Sequence, residues 1–266
     1  MGVAGLCDVP LILNPKVIAG IYWKRMIRRN RAIPAANIKL LIFDLDGTLV
    51  DSRLDLANSV NAMLRHYGKP ELPTDIIGSY IGNGAPMLVR RSLGDPDDEN
   101  FVQEALFYFM AYYREHKLDT TYVYDGIFAA LDSIRARSNG SGELKMAVLS
   151  NKPVGPTRGI VEALGLGKYF FQVYGGNSFH TKKPDPAGVQ ALLQESGALP
   201  QETSIIGDSD VDVLTARNAG IYSVAVTYGL APHTLEDVTA DVMVDHPGEL
   251  ADVLGVRDRT RLESKA

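Results

Sequence analysis

Leu40-Leu41-Ile42-Phe43-Asp44-Leu45-Asp46-Gly47-Thr48 decides how the rest of the chain is read. Four apolar residues that stop abruptly at a charge fit a buried strand, because a strand covered on both faces reads as a continuous hydrophobic run. The two carboxylates that follow, at i and i+2, stand just past the strand end. There they can serve one reacting phosphorus in different roles: one attacks, the other gives a proton to the leaving oxygen and later activates water. Gly47 permits close backbone approach, and Thr48 offers a hydroxyl and an amide to phosphoryl oxygens. Alone, Asp-x-Asp also fits an ordinary turn. A calcium loop fits worse, since the apolar run lacks the acidic spacing of an EF-hand.

Three more apolar runs recur downstream: Met146–Leu149 before Ser150, Ser204–Ile206 before Gly207-Asp208, and Val224–Val226 before Thr227. Amphipathic stretches at 153–165, 186–196 and 210–219 alternate with them. This alternation predicts an α/β fold, a Rossmann-like parallel sheet with right-handed crossovers and helices on both faces. Ligands of such sheets collect outside the carboxyl ends of the strands. Asp44, Ser150 and Asp208 are expected to meet at that edge.

Residues 53–120 break the alternation and read as helices only: Arg53–Tyr67, Pro73–Tyr80, Ala85–Leu93 and Asp97–Lys117. For the last, Asp95 is the expected N-cap, with Pro96 at the first helical position. Its Phe101, Ala105, Phe109 and Tyr112 recur at helical spacing and read as core rather than as a cofactor box. The expected organisation is a catalytic core of residues 39–52 and 121–255 with a small α-helical cap of 53–120 inserted. A basic extension (1–38) and a charged tail (256–266) flank it.

Gly207-Asp208-Ser209-Asp210-Val211-Asp212 is the second chemical signal, although an N-capped helix start fits it equally well on its own. Carboxylates at a strand end suit a hard cation such as Mg²⁺, which takes one or two carboxylates, waters and substrate oxygens. Asp208 is the expected direct ligand and Asp212, one helical turn on, the partner behind it. Ser150, assisted by Asn151, can hold a phosphoryl oxygen, and Lys183 brings a compact positive charge where negative charge accumulates. Taken singly, Ser150 reads as a cap and Lys183 as a surface lysine; their shared placement at strand ends argues otherwise.

The 266 residues are 45% apolar and 22% charged, an ordinary globular balance. No run of about eighteen apolar residues occurs, so stable membrane insertion is not expected. The single Cys7 permits neither an internal disulfide nor a cysteine metal site, which points to the cytoplasm. Residues 1–39 hold seven basic side chains against one acid, Asp8, and so carry +6, leaving −11 on the remainder. A body so acidic is not expected to bind nucleic acid. The Arg-rich start reads either as a transit peptide or membrane-surface helix, or as a dispensable extension with Met26 a later start. The five histidines show no paired spacing of metal ligands.

Asp44-Leu45-Asp46-Gly47-Thr48, then Ser150, then Lys183-Pro184, then Gly207-Asp208-Ser209 through Asp212 resembles the four-motif order of the haloacid dehalogenase superfamily over residues 39–255. Within it the chain is most similar to the phosphoglycolate phosphatases. Gly82-Asn83-Gly84 with Leu88–Leu93 resembles their cap signature, and Ser150-Asn151-Lys152-Pro153, Lys182–Pro186 and Thr227-Tyr228-Gly229 their core pattern. Two positions depart from it: Tyr124-Asp125-Gly126 in place of Tyr-Pro-Gly, and Asn177 where an Asp is common. The resemblance implies Mg²⁺-dependent hydrolysis of a small phosphomonoester, 2-phosphoglycolate, with Asp44 as nucleophile forming an aspartyl-phosphate and Asp46 as general acid and base. It implies Mg²⁺ on the Asp44 carboxylate, the Asp46 carbonyl and Asp208. Ser150 and Lys183 would hold the phosphoryl group, and the Gly82-Asn83-Gly84 loop would meet the substrate. The protein would act as a monomer or homodimer.

A dehalogenase would have no use for an acid at Asp46. The rivals are a sugar-phosphate mutase, a pyrophosphatase or nucleotidase of the same superfamily, and a non-catalytic binding protein on this fold. The mutase would need a sugar-reading set in the cap, and the binding protein should have lost one of Asp44, Asp46, Lys183 or Asp208. Arg90 and Arg91 could read a substrate carboxylate or simply face solvent.

Overall fold

The computed structural model describes residues 27–141 and 144–254. The readings made of residues 1–26 and of the charged tail lie outside the described residues. Seven strands form one sheet in the order β1-β9-β8-β7-β2-β5-β6. They are β1 (Arg28–Arg29), β2 (Leu40–Phe43), β5 (Lys145–Leu149), β6 (Gln172–Tyr174), β7 (Thr203–Gly207), β8 (Tyr222–Val226) and β9 (Val242–Val244). All neighbours pair in parallel except β1, which joins β9 antiparallel. Helices α5 (Ile127–Ser141), α6 (Val154–Ala163), α7 (Ala187–Ser196), α8 (Asp210–Ala219) and α9 (Gly248–Leu254) complete this body.

Strand β2 shows why the sheet must be covered on both sides. Leu41 and Phe43 pack with Ile127, Leu131, Ile160 and Leu250 on one face. Leu40 and Ile42, pointing the other way by the two-residue period of a strand, pack with Val189, Leu192 and Ala216. The register then aims the chemistry. Phe43 lies opposite Val148 on one side and Ile206 on the other, so the residues following these strands leave from one edge.

Four helices stand apart from the sheet: α1 (Arg53–His66), α2 (Thr74–Ser79), α3 (Ala85–Ser92) and α4 (Glu99–His116). They share a core of their own, with Leu56, Val60, Met63, Leu88, Val89 and Phe109 at its centre. Strands β3 (Val50–Asp51) and β4 (Tyr122–Val123) pair antiparallel where the chain leaves for these helices and returns. Asp55, on the outgoing helix, accepts hydrogen bonds from the amide and hydroxyl of both Thr120 and Thr121, just before the returning strand.

Three expectations need correction. Helix α4 begins at Glu99, and its N-cap is Asp98, whose carboxylate accepts from the amides of Asn100 (3.0 Å) and Phe101 (3.1 Å). Asp95 instead ends the preceding helix: it has φ of 52° and its amide donates to the Arg90 carbonyl. The buried stripe of α4 is Val102, Ala105, Phe109 and Tyr113, so Phe101 and Tyr112 flank it. Arg28 and Arg29, placed by the sequence in the basic extension, lie on the sheet edge, with Arg28 paired to Asp245 at 3.0 Å. Ile33 and Ile38 of the same segment are buried in the main core.

Candidate active site

Asp44, Ser150 and Asp208 do converge beyond the carboxyl ends of β2, β5 and β7, and all three are buried. The Asp44 carboxylate accepts from the Leu45 amide at 2.7 Å. Its other oxygen lies 3.1 Å from the Lys183 ammonium, which also donates to Asp212 at 2.6 Å. The second oxygen of Asp212 accepts from the Ser209 hydroxyl at 2.7 Å and closes a capping box at the start of α8. Asp212 therefore stands behind the site and aims Lys183 at Asp44.

Asp208 is held by the backbone: the amides of Leu230 (2.7 Å) and Ala231 (3.0 Å) donate to one oxygen. Gly47 is required beside it. A Cβ at this position would lie 2.0 Å from Asp208 Oδ2, and the local φ of 81° is one that side chains avoid.

Oxygens of Asp44, Asp208 and Asp212 lie within 4.8 Å of one another. Three buried carboxylates face a single buried ammonium, an imbalance that a divalent cation would cancel. The electrostatics carry the same message. Burial, with Asp212 and Asp44 close by, pushes the Asp208 carboxyl up to about 8 despite the two amides. Burial also raises Asp44, Lys183 lowers it and Asp212 raises it again, for a net value of about 6. Burial works against the charged form of Lys183, yet Asp212 and Asp44 outweigh it and hold its pKa above the ordinary lysine value. Oxygen-only donors in this arrangement fit Mg²⁺.

Asp46 points elsewhere. Its carboxylate accepts from Ser52 Oγ at 2.5 Å and from Lys152 Nζ at 3.0 and 2.9 Å. Lys152 is buried, and its ammonium lies 4.6 Å from the centre of the Tyr113 ring on α4. The sequence reading quoted Lys152 and gave it no role, and it did not single out Tyr113. One signal was available for the lysine: Asp46 follows the end of β2 by three residues, Lys152 follows the end of β5 by three, and those strands are neighbours. Tyr113 joins them only through the helical unit, which no spacing reveals.

The Thr48 hydroxyl is buried and has no partner, but Thr48 does not line the cavity above Asp44 and Asp46. Asn151 behaves otherwise than expected, because its amide nitrogen is spent on the carbonyls of Gly82 (3.1 Å) and Lys183 (3.0 Å). It joins cap loop to core. Lys182 does the same, donating to the Asn83 carbonyl at 2.7 Å. Gly82 and Gly84 line the cavity above Asp44 and Asp46, and Asn83 does not. Apart from Tyr113, the remaining cap wall is apolar: Leu56, Ile81, Ala85, Leu88, Phe109 and Met110. Arg90 does not read this cavity, since its guanidinium is committed to Glu99 and to the Pro96 carbonyl; Arg91 does not line it either. At the departure from the resemblance, Asn177 accepts from the Val154 amide at 2.8 Å at the start of α6.

Residues 41–226 match the family of haloacid dehalogenase-like hydrolases. The chain is 38% identical over 205 residues to a phosphoglycolate phosphatase of Pseudomonas putida KT2440, covering 74% of this chain and 72% of that protein. It is 37% identical over 222 residues to one from Chromobacterium violaceum, covering 82% and 97%. The crystal structure of a predicted phosphoglycolate phosphatase from Haemophilus somnus superposes with a TM-score of 0.74 at 29% identity, over 82% of this chain and 98% of that one. No helix among the described residues is long and apolar enough to cross a membrane. The chain belongs to the haloacid dehalogenase-like hydrolases, and within them it is a phosphoric monoester hydrolase.

Proposed function

We propose that the protein hydrolyses a small phosphorylated acid, 2-phosphoglycolate, through a phosphoryl group carried on Asp44. The observation that carries this reading is Asp44 itself, a buried carboxylate fixed by the Leu45 amide and by Lys183 at 3.1 Å. One Asp44 oxygen attacks phosphorus and the bond to the ester oxygen breaks. Asp46 donates its proton to that departing oxygen. A water molecule then loses a proton to Asp46 and attacks the same phosphorus, which breaks the bond to Asp44 and releases phosphate. Lys183 and Ser150 hold the equatorial oxygens as their charge rises.

Asp44, the Asp46 carbonyl and Asp208 would hold Mg²⁺, with Asp212 behind them. When bound, that ion supplies Lewis-acid neutralisation of the phosphoryl oxygens. A cap wall of six apolar residues supports a small substrate over a sugar phosphate, whose hydroxyls would find few partners there. The names of the two curated relatives point to the same substrate.

The test is phosphate release with Mg²⁺ from 2-phosphoglycolate, β-glucose 1-phosphate, pyrophosphate and a nucleoside monophosphate. A kcat/KM at least ~100-fold higher for 2-phosphoglycolate, about 2.7 kcal/mol of discrimination, is expected. A flat profile refutes the narrow substrate, and no release from any of the four refutes the phosphatase reading.

A further inference from the structure

A substrate that carries a second anion needs a cation to receive it. Among the described residues lining the cavity, Lys152 is the only cation. The other candidates are spent elsewhere: Lys183 on Asp44 and Asp212, Lys182 on the Asn83 carbonyl, Arg90 on Glu99. Lys152 is 6% exposed, and the Tyr113 hydroxyl beside it is buried, interacts with the Lys152 ammonium and makes no hydrogen bond of good geometry. A buried hydroxyl without a well-formed hydrogen bond is costly unless a ligand completes it.

We propose that Lys152 and Tyr113 together form the receptor for the substrate's carboxylate, and that this carboxylate and Asp46 are alternative partners for the one ammonium. The proposal rests on the phosphatase reading above and goes beyond it by naming the residues that choose the substrate. Position supports it. Asp46 serves the ester oxygen, and Lys152 lies within 3.0 Å of Asp46. A carboxylate on the carbon next to the ester carbon therefore falls within reach of Lys152, while a chain longer by several carbons meets the apolar cap wall instead.

The chemistry of the two side chains is also right. Burial raises the Tyr113 hydroxyl to about 12, more than the nearby ammonium lowers it, so it remains an O–H donor. Lys152 stays charged because Asp46 and Tyr113 outweigh its burial. An ammonium and a hydroxyl thus present two donors to two carboxylate oxygens. Exchange at Lys152 has a consequence for the chemistry. When the substrate's carboxylate takes the ammonium, Asp46 loses the partner that holds it and is free to turn to the ester oxygen. An anionic substrate would thereby assemble the site that hydrolyses it.

The experiment compares 2-phosphoglycolate with its neutral amide, 2-phosphoglycolamide, in Mg²⁺ buffer. The enzymes are the wild-type protein, Lys152→Met, Lys152→Arg and Tyr113→Phe. The readout is the ratio of the two kcat/KM values, which does not depend on the fraction of enzyme that is folded. Lys152→Met is expected to lower the acid-to-amide ratio about 10- to 100-fold, the worth of a hydrogen bond to a charged group, mainly through KM for the acid. Lys152→Arg should recover part of the ratio, and Tyr113→Phe should lower it by about 3- to 10-fold. Equal losses on both substrates, with the ratio unchanged, would overturn the proposal and leave Lys152 as a group that only places Asp46. A wild-type protein that releases phosphate from neither substrate would instead remove the phosphatase reading, and this proposal with it.

Discussion

The Lys183 ammonium sits 2.6 Å from an oxygen of Asp212, closer than to Asp44. Asp212 is thus the anchor that delivers a buried charge to the nucleophile. Removing the anchor leaves that charge with one partner. Asp212→Ala is expected to cut kcat about 10²- to 10³-fold, as loss of one oriented donor does, and to destabilise by about 3–5 kcal/mol, as a broken buried pair does. Steady-state kinetics and thermal melts check both. An Asp212→Ala protein with the wild-type kcat would make the pair purely structural.

The metal-free protein should lose stability as pH rises. Asp44 and Asp208 hold their protons more tightly when folded, at about 6 and about 8, than in the unfolded chain. Their contribution is therefore complete below about pH 4 and lost as pH climbs through 6 and then 8. Mg²⁺ binds the charged carboxylates and should flatten this slope, adding about 2.7 kcal/mol when present at a hundred times its dissociation constant. Melting temperatures from pH 5 to 8, with chelator and with Mg²⁺, decide it. A chelated protein with no slope contradicts the reading of this cluster.

The cap loop should not tolerate a methyl group at Gly84. Its φ is 82°, and a Cβ there would come within 2.8 Å of the Asn151 carbonyl oxygen. Gly84→Ala must push Gly82 and Asn83 away from Asn151 and Lys182. A displacement of about 1 Å at a closing loop can cost on the order of 100-fold, so kcat/KM should fall by about 10- to 100-fold with little change in melting temperature. Lys182→Met, which removes one latch only, should cost less. Kinetics of the two variants side by side test the order.

Asp55 should matter for holding the helical unit in place. Burial would raise its carboxyl, but the hydroxyls and amides of Thr120 and Thr121 outweigh burial and hold it below the usual aspartate range. A depressed acid contributes stability above its unfolded value, and the contribution fades as pH falls through the lowered one. Asp55→Ala should cost about 2–3 kcal/mol at pH 7, the scale of hydrogen bonds to a charged group. The gap to the wild-type protein should narrow below about pH 4. Denaturant melts at pH 7 and pH 3.5 measure it, and a gap independent of pH would refute the charge-based account.

The core of the site was legible because a parallel sheet sends the ends of its strands to one edge. An apolar run followed by Asp44, Ser150 or Asp208 therefore locates its polar residue without further knowledge of the fold. The helical unit was legible as helices, since its apolar residues repeat at helical spacing, yet the choice between Asp95 and Asp98 as N-cap was not. Both acids precede the helix, and the Arg90 carbonyl claims the Asp95 amide in the turn that ends the preceding helix, a local competition the sequence pattern does not decide. Two-residue strands such as Arg28–Arg29 carry too few positions to show alternation, and their pairing depends on β9, over two hundred residues away. Lys152 and Tyr113 escaped for a related reason. The place of Lys152 beside Asp46 could be read from the ends of two neighbouring strands, but its meeting with Tyr113 depends on how the helical unit closes on the sheet, and spacing along the chain says nothing of that.

The central claim is that Asp44 carries the phosphoryl group. The direct measurement is a rapid-quench single turnover with substrate labelled at phosphorus, followed by mapping of the label on the denatured protein. Label should appear on the peptide containing Asp44 during the first turnover, decay as phosphate is released, and be absent from Asp44→Asn, which should keep the fold and lose turnover. Full phosphate release with no label on the protein, or an Asp44→Asn enzyme of near-normal turnover, would contradict it.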